Sequence, residues 1–187
     1  MTAKVLKPSS IAKEYQADVR RDVAALASGR RRLRIVGLLG QEHGPAATYA
    51  HYAQLGCEAV GIQLDVQHVG ADAVEGAIAR TNIDDEADGI FLYYPLTDPA
   101  GDRWLRELVD PRKDVEGLHS FWSRLLYENQ RFVDPEGRKR AILPCTPLAV
   151  LKILQHAGMP SASGSAPLEG VTACVINRSD IVGRPLA

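Results

Sequence analysis

The chain has 187 residues, 45% of them hydrophobic and 24% charged, with a formal net charge of −1. That is enough for one full globular domain, or one domain and a piece of another. The near-neutral charge gives no electrostatic reason to expect nucleic acid or an anionic membrane as a partner, and no stretch approaches the roughly 18 apolar residues of a membrane span. Three scattered cysteines (Cys57, Cys145 and Cys174) form no CxxC pair, and no HxxxH spacing occurs, so free thiols and no metal site are expected. The opening "MTAKVLKPSS" lacks the apolar core of a secretory signal. With no acidic residue before Glu14 a transit peptide is the alternative, but arginine is also lacking there, and cytoplasm is the first expectation.

In chain order the pattern alternates. "SSIAKEYQADVRRDVAALASG" predicts a helix, with Ile11, Tyr15, Val19, Val23 and Leu26 at helical spacing and Gly29 as its stop. "LRIVGLL" is an apolar, β-branched run of strand length, and "GQEHG" is a turn. "PAATYAHYAQLGCEAVG" is a helix with Pro45 in its first turn, where a missing N–H costs nothing. "IQLDV" reads as a strand, "ADAVEGAIARTN" as a helix, "DGIFLYY" as a strand closed by Pro95, and "DPAGDRWLRELV" as a short helix. Apolar strands separated by helices imply a parallel sheet covered on both faces, hence an α/β domain.

"NQRFVDPEGRKRA" is polar and turn-rich and reads as an excursion. "CTPLAVLKILQHAG" then predicts a helix with Thr146 as N-cap, Pro147 in the first position and Gly158 as the stop. The Pro/Gly-rich "MPSASGSAPLEG" is the best linker in the sequence, and a boundary falls there: residues 1–158 form one domain, and 159–187 the linker and the start of another. The final "TACVINRSDIVGRPLA" runs from strand to polar turn to the first residues of a helix, the way a dinucleotide-binding unit begins. Asn177 stands where such a turn has its first glycine. Asparagine is the side chain that best tolerates a left-handed backbone.

Three stretches belong together: "KDVEGLHS" (113–120), "LPCTPLAVLKIL" (143–154) and "VINRSDIVGRPLA" (175–187). In this order and spacing they resemble the methylenetetrahydrofolate dehydrogenase/cyclohydrolase family, with its KDVDG loop, PCTP helix start and G-x-S-x-I-V-G-x-P cofactor turn. "GPAATYAHYA" looks like the family's tyrosine-bearing helix, and "FLYYPL" like its VQLPL strand end. The resemblance runs from about Leu33 to the end of the chain. It implies an N-terminal parallel-sheet α/β substrate domain followed by a Rossmann NAD-binding domain, here only begun, with tetrahydrofolate substrate in the cleft between them. It also implies a homodimer for the full-length enzyme. The reaction implied is hydride transfer from 5,10-methylenetetrahydrofolate to NAD or NADP, leaving the methenyl cation, which bifunctional members then hydrolyse.

On that resemblance the catalytic candidates are Tyr49, Tyr93 and Glu116. Tyr49, Tyr93, Pro95, Leu96, Asp114, Glu116, Pro144 and Cys145 are the substrate-binding candidates. Asn177, Arg178, Ser179, Gly183 and Arg184 are those for NAD. Bifunctional members carry a lysine four residues after the helix tyrosine, one turn along the same face. Here that position is Ala53, and no lysine occurs between Lys13 and Lys113. The family's glutamine before LP aligns with Tyr93, and the aspartate of DVDG with Glu116. "YYP", "DVEG" and "INRS" together resemble the monofunctional, NAD-dependent branch, so dehydrogenase without cyclohydrolase is expected.

Other readings stand beside these. Tyr49 could be a packing residue, Asp114 and Glu116 solvated turn residues, and Cys145 a helix-start thiol of lowered pKa or a capping group. The run Arg30, Arg31, Arg32 and Arg34 reads as a solvated connection, with attraction of a folate polyglutamate tail as its alternative. A Rossmann domain needs far more chain than follows Gly170, so a fragment is expected, without tight NAD binding or turnover by itself. The rival functions are a non-catalytic folate-binding or interaction module, a bifunctional enzyme, and another two-domain dehydrogenase.

Overall fold

A computed structural model describes residues 5–29, 31–158 and 172–187. Its elements are α1 (Pro8–Leu26), β1 (Arg34–Leu39), α2 (Pro45–Val60), β2 (Gln63–His68), α3 (Val74–Ile83), β3 (Gly89–Tyr93), α4 (Pro99–Leu108), α5 (Ser120–Tyr127), α6 (Cys145–His156) and α7 (Gly183–Leu186). The linker expected at 159–170 lies outside the described residues.

The three strands form one parallel sheet in the order β2-β1-β3. Ile35 pairs with Leu64 on one side and Gly89 on the other. A parallel bridge from Ile90 to Asp114 extends the β3 side. β1 is central and buried from Val36 to Leu39. β2 departs from the expectation of strands covered on both faces: Gln63, Gln67 and His68 are exposed. It is an edge, and its polar residues suit that place.

Strand alternation sorts the core into two layers. Val36, Leu38, Ile90 and Leu92 pack with Ile78 of α3 and Leu105 of α4. On the opposite face Leu39, Phe91 and Tyr93 meet Ala46, Ala47, Ala50 and Ala53 of α2. These small residues let the helix approach a sheet face crowded with rings. Gly37 serves the same end from within β1, because a Cβ there would lie 2.7 Å from Cε2 of Tyr93.

α1 forms as predicted but buries less of its stripe, since only Ile11 and Val23 are enclosed. Tyr15, Val19 and Leu26 remain exposed. Arg20 ties the helix to α2 by donating twice to the Ala59 carbonyl, at 2.7 and 3.0 Å. The arginine run is a bonded seam across the amino ends of the strands, and Arg31 and Arg32 stay exposed within it, as a solvated connection would be. Arg31 pairs with Asp88 at 2.8 Å and Glu86 at 3.0 Å. Arg34 pairs with Asp65 at 2.8 Å and Asp84 at 3.0 Å, and Arg32 donates to the Gly61 and Ile62 carbonyls. Arg30 lies outside the described residues.

Several boundaries differ from the sequence pattern. α5 is an element the pattern did not single out; the His119 side chain accepts the Phe121 N–H at 2.9 Å and so caps it. The excursion is a small hairpin, pinned by Asp134 and bridged between Phe132 and Arg140. α6 begins at Cys145 with Pro144 as N-cap, so Thr146 is already helical and makes no cap. Pro144 holds an extended ψ of 130° and starts the helix two residues early. Residues 172–179 form no strand, contrary to expectation, and no strand among the described residues pairs with them. No helix among the described residues is long and apolar enough to cross a membrane.

Gly37→Ala would force the Tyr93 ring aside, and overpacking of this kind costs about 1–3 kcal/mol. The expected result is a lower urea midpoint with an unchanged m-value, measured by circular dichroism.

Candidate active site

In open parallel sheets, ligands bind outside the carboxyl ends of the strands. β1 ends at Leu39, and β3 ends at Tyr93, just before the cis Tyr94–Pro95 bond. Over this end three aromatic rings gather. Phe91 and Tyr93, two apart on β3 and so on one face, stack at 4.5 Å between centroids with 22° between planes. Tyr49 of α2 stands edge-on to both, 5.8 Å from each. Tyr93 is only 2% exposed, whereas Tyr49 is 55% exposed and offers its ring to the cleft. Burial pushes the Tyr93 phenol well above its usual pKa, so it stays protonated at neutral pH, and its hydroxyl has no partner among the described residues.

The second wall is the loop after Lys113. The Lys113 ammonium donates to the Thr81 and Asp84 carbonyls at 2.9 and 2.7 Å, which anchors the loop to the end of α3. Asp114 is buried, and its carboxylate accepts the backbone N–H groups of Glu116, Gly117, Leu118 and His119 at 2.9–3.0 Å. Gly117 takes φ +69°, and a Cβ there would press on the Leu143 carbonyl carbon at 3.0 Å. The loop therefore lies directly against the segment leading into α6, where the Cys145 thiol donates to the Val115 carbonyl at 3.7 Å.

Glu116 projects from this loop toward the end of β3, where its Oε2 accepts the Leu92 N–H at 3.2 Å. Its pKa is pushed up to about 8. Burial is the main cause, the Asp114 charge adds to it, and the Leu92 N–H opposes it. Two carboxyls two residues apart thus sit in different surroundings. Asp114 is held amid N–H donors, and Glu116 is largely protonated at neutral pH.

The structure brings Tyr49, Tyr93, Glu116 and Cys145 together around one cleft. Pro95 is exposed at its rim and Pro144 is buried beneath it. Leu96 is in the apolar core. Asp114, a substrate-binding candidate, spends its oxygens on the loop. Burial and the Glu116 and Asp114 charges push the Cys145 thiol up, opposite to the direction its helix-start position suggested, although the residue as a whole keeps an exposed surface. Asn177 is not left-handed, since Asn129 is the one non-glycine residue of positive φ among the described residues. Its side chain accepts the Ser179 N–H at 2.7 Å and closes the turn that way. Ser179 in turn accepts the Val182 and Gly183 N–H groups. Arg184 pairs with Asp180 at 3.0 Å, and Arg178 is exposed. The sequence pattern did not point to Phe91, Gly37, Tyr94 or Arg106; for Phe91, its place two residues from Tyr93 on one strand face was the available signal.

Aromatic rings and a carboxyl of raised pKa gathered at the carboxyl end of a small parallel sheet define an α/β domain with its candidate site at the strand ends. Residues 6–116 match the tetrahydrofolate dehydrogenase/cyclohydrolase catalytic domain, and the chain belongs to that family, as its motifs suggested. The NAD(+) methylenetetrahydrofolate dehydrogenase of Schizosaccharomyces pombe is 40% identical over 156 residues, covering 82% of this chain and 49% of that protein. The bifunctional protein FolD of Staphylococcus haemolyticus is 31% identical over 192 residues, covering all of this chain and 61% of that protein. The solved NAD-dependent 5,10-methylenetetrahydrofolate dehydrogenase of Saccharomyces cerevisiae superposes with a TM-score of 0.91 at 34% identity, covering 100% of this chain and 61% of that one. The chain spans about half the length of the curated relatives it matches first.

An unfolded glutamate titrates near about 4.3. Folded Glu116 does so at about 8. Between those values the folded protein keeps a proton that the unfolded chain has released. The stabilisation is complete at the acid end, declines as pH rises and is gone above the folded value. The melting temperature of the wild type minus that of Glu116→Gln should therefore fall from about pH 5 to about pH 8 and then level off. A difference that stays flat across that window would mean an ordinary carboxyl.

Proposed function

We propose that the chain is the folate-holding part of an NAD-dependent methylenetetrahydrofolate dehydrogenase without cyclohydrolase activity. The observation that carries this is Ala53. It packs against the layer that holds Phe91 and Tyr93. The place where bifunctional members hold a lysine is therefore filled by a methyl group beside stacked rings.

Oxidation breaks a C–H bond of the methylene bridge between two folate nitrogens. The bonding pair leaves as hydride, and the nitrogen lone pairs spread the positive charge that remains. No general base is needed, so the residues have to position rather than move protons. NAD supplies the hydride acceptor when bound. Tyr49 offers an exposed ring to pack on a flat heterocycle, and Phe91 and Tyr93 hold that ring in place. The second oxygen of Glu116 meets N–H donors on the heterocycle edge. Pro95 and Cys145 shape the rim, and the buried Pro144 supports it from beneath. Asn177, Arg178, Ser179, Gly183 and Arg184 are assigned to the cofactor. Ser179 and Asn177 brace their turn, while Arg178 and Arg184 keep exposed cationic side chains. Bifunctional members carry a lysine one turn after the helix tyrosine to manage the protons of methenyl hydrolysis, and the methyl group of Ala53 cannot take that part. NAD rather than NADP rests on the fungal relatives. A homodimer for the whole enzyme and a cytoplasmic setting, which suits three free cysteines, belong to the same reading.

Calorimetric titration with tetrahydrofolate tests the folate site. Tyr49→Ala is expected to weaken binding about tenfold or more. Donors on the ligand favour ionised Glu116, so binding should release a proton below pH 8 and tighten as pH rises toward that value. Glu116→Gln should abolish that pH dependence. For the native enzyme, NAD-linked oxidation with methenyl hydrolysis no faster than the uncatalysed rate is the expected outcome. Hydrolysis above that background would overturn the dehydrogenase-only reading.

A further inference from the structure

A second concavity lies away from the aromatic cleft. It is a cavity of about 330 Å³ between α4 and the 179–181 turn, lined among others by Tyr94, Arg103, Arg106, Ser179 and Asp180. Two guanidinium groups, Arg103 and Arg106, and two carboxylates, Asp102 and Asp180, line it, but the donors are not all matched to acceptors. The Arg106 side chain is only 17% exposed, yet the contacts that its guanidinium makes to carboxylates are long, 3.9 Å to Glu107 and 3.8 Å to Asp180. Its Nε is buried with no hydrogen-bond partner among the described residues, and so is the Tyr94 hydroxyl.

At least one oxygen of each nearby carboxylate is engaged elsewhere. Asp102 accepts from the Leu96 and Thr97 N–H groups and from the Thr97 hydroxyl. Glu107 accepts the Ser120 hydroxyl at 2.6 Å, and Asp180 is paired with Arg184 at 3.0 Å. A guanidinium carries five N–H donors in a rigid fork. Burying one without acceptors costs free energy that an oxygen-rich anion would recover. Arg103, one helical turn before Arg106, adds a second positive charge to the same wall.

We propose that this cavity is a subsite for a phosphate group, with the Arg106 fork as its principal donor, the Tyr94 hydroxyl as the second, and Arg103 supplying charge. The inference rests on the NAD reading for its physiological source. Under that reading the phosphate is part of the dinucleotide's diphosphate, and α4 of the substrate domain helps to hold the cofactor beside the 177–183 turn. A free phosphate ion offers the same chemistry.

The test uses the purified chain, with thermal melting and calorimetry in inorganic diphosphate against chloride of equal ionic strength. Diphosphate should raise the melting temperature of the wild type with concentration, as a ligand of the folded state does. Arg106→Gln should lose about tenfold or more in diphosphate affinity, and Tyr94→Phe, which removes only a hydroxyl, about threefold or more. Because the Arg106 Nε has no hydrogen-bond partner among the described residues, Arg106→Gln should melt close to wild type in chloride and should leave tetrahydrofolate binding unchanged. If it melts lower and keeps the diphosphate shift, the guanidinium serves Asp180 and the proposal falls. Absence of a wild-type diphosphate shift alongside normal tetrahydrofolate binding overturns the subsite alone. Diphosphate binding without tetrahydrofolate binding supports the subsite and overturns the folate reading. Displacement of diphosphate by NAD identifies the dinucleotide as the source, and simultaneous binding identifies free phosphate.

Discussion

The buried carboxylate of Asp114 holds the loop 114–119 in place by accepting four consecutive backbone N–H groups. A loop of that length would otherwise leave several buried donors unpaired, which is costly enough to favour another path for the chain. With the carboxylate in place, the loop is fixed against the end of β3. Glu116 can then stand only where its oxygen meets the Leu92 N–H. The high pKa of Glu116 follows from that placement, because the group is enclosed and a fixed negative charge is close by. One carboxyl is spent on architecture so that a second can be kept neutral in a cleft, and the two environments divide the roles.

The aromatic wall depends on a complementary economy of volume. Stacking two rings on one face of β3 and setting a third edge-on requires that the neighbours be small. Gly37 in β1 and the alanines of α2 meet that need. Ala53 belongs to this layer, so its identity is a packing matter as well as a chemical one. The rings that stiffen the site occupy surroundings a long polar side chain would need. Packing therefore constrains which side chain this helical position can hold.

Much of the site was legible in the sequence because its parts are local motifs. Tyr49 on a helix with Pro45 in its first turn, Tyr93 at a strand end, and Asp114 and Glu116 around a glycine turn each announce themselves within a few residues. Their convergence followed from the α/β alternation, which puts strand ends and the following loops on one side of the sheet. Phe91, Tyr94 and Arg106 were not legible. Their roles depend on what does or does not stand opposite them, and a buried guanidinium Nε without a hydrogen-bond partner among the described residues leaves no trace in a sequence pattern. The arginine run shows the same limit from the other direction. Read alone it is a cationic patch, and only the positions of Asp65, Asp84 and Asp88 turn it into a seam.

The sequence by itself determined the alternation of strands and helices, the family, and the absence of a lysine after Tyr49, because periodicity and motif spacing are local properties of the chain. It also marked Asn177 as a turn residue, though for the wrong reason: its side chain accepts the Ser179 N–H, and its backbone is not left-handed. Only the tertiary structure decided which polar groups were satisfied and which were left over. Asp114 was consumed by its own loop, Glu116 was pushed toward neutrality, and the donors of Arg106 and Tyr94 were left facing a cavity. Those outcomes depend on burial and on partners brought together from distant parts of the chain, and both are properties of the packed fold.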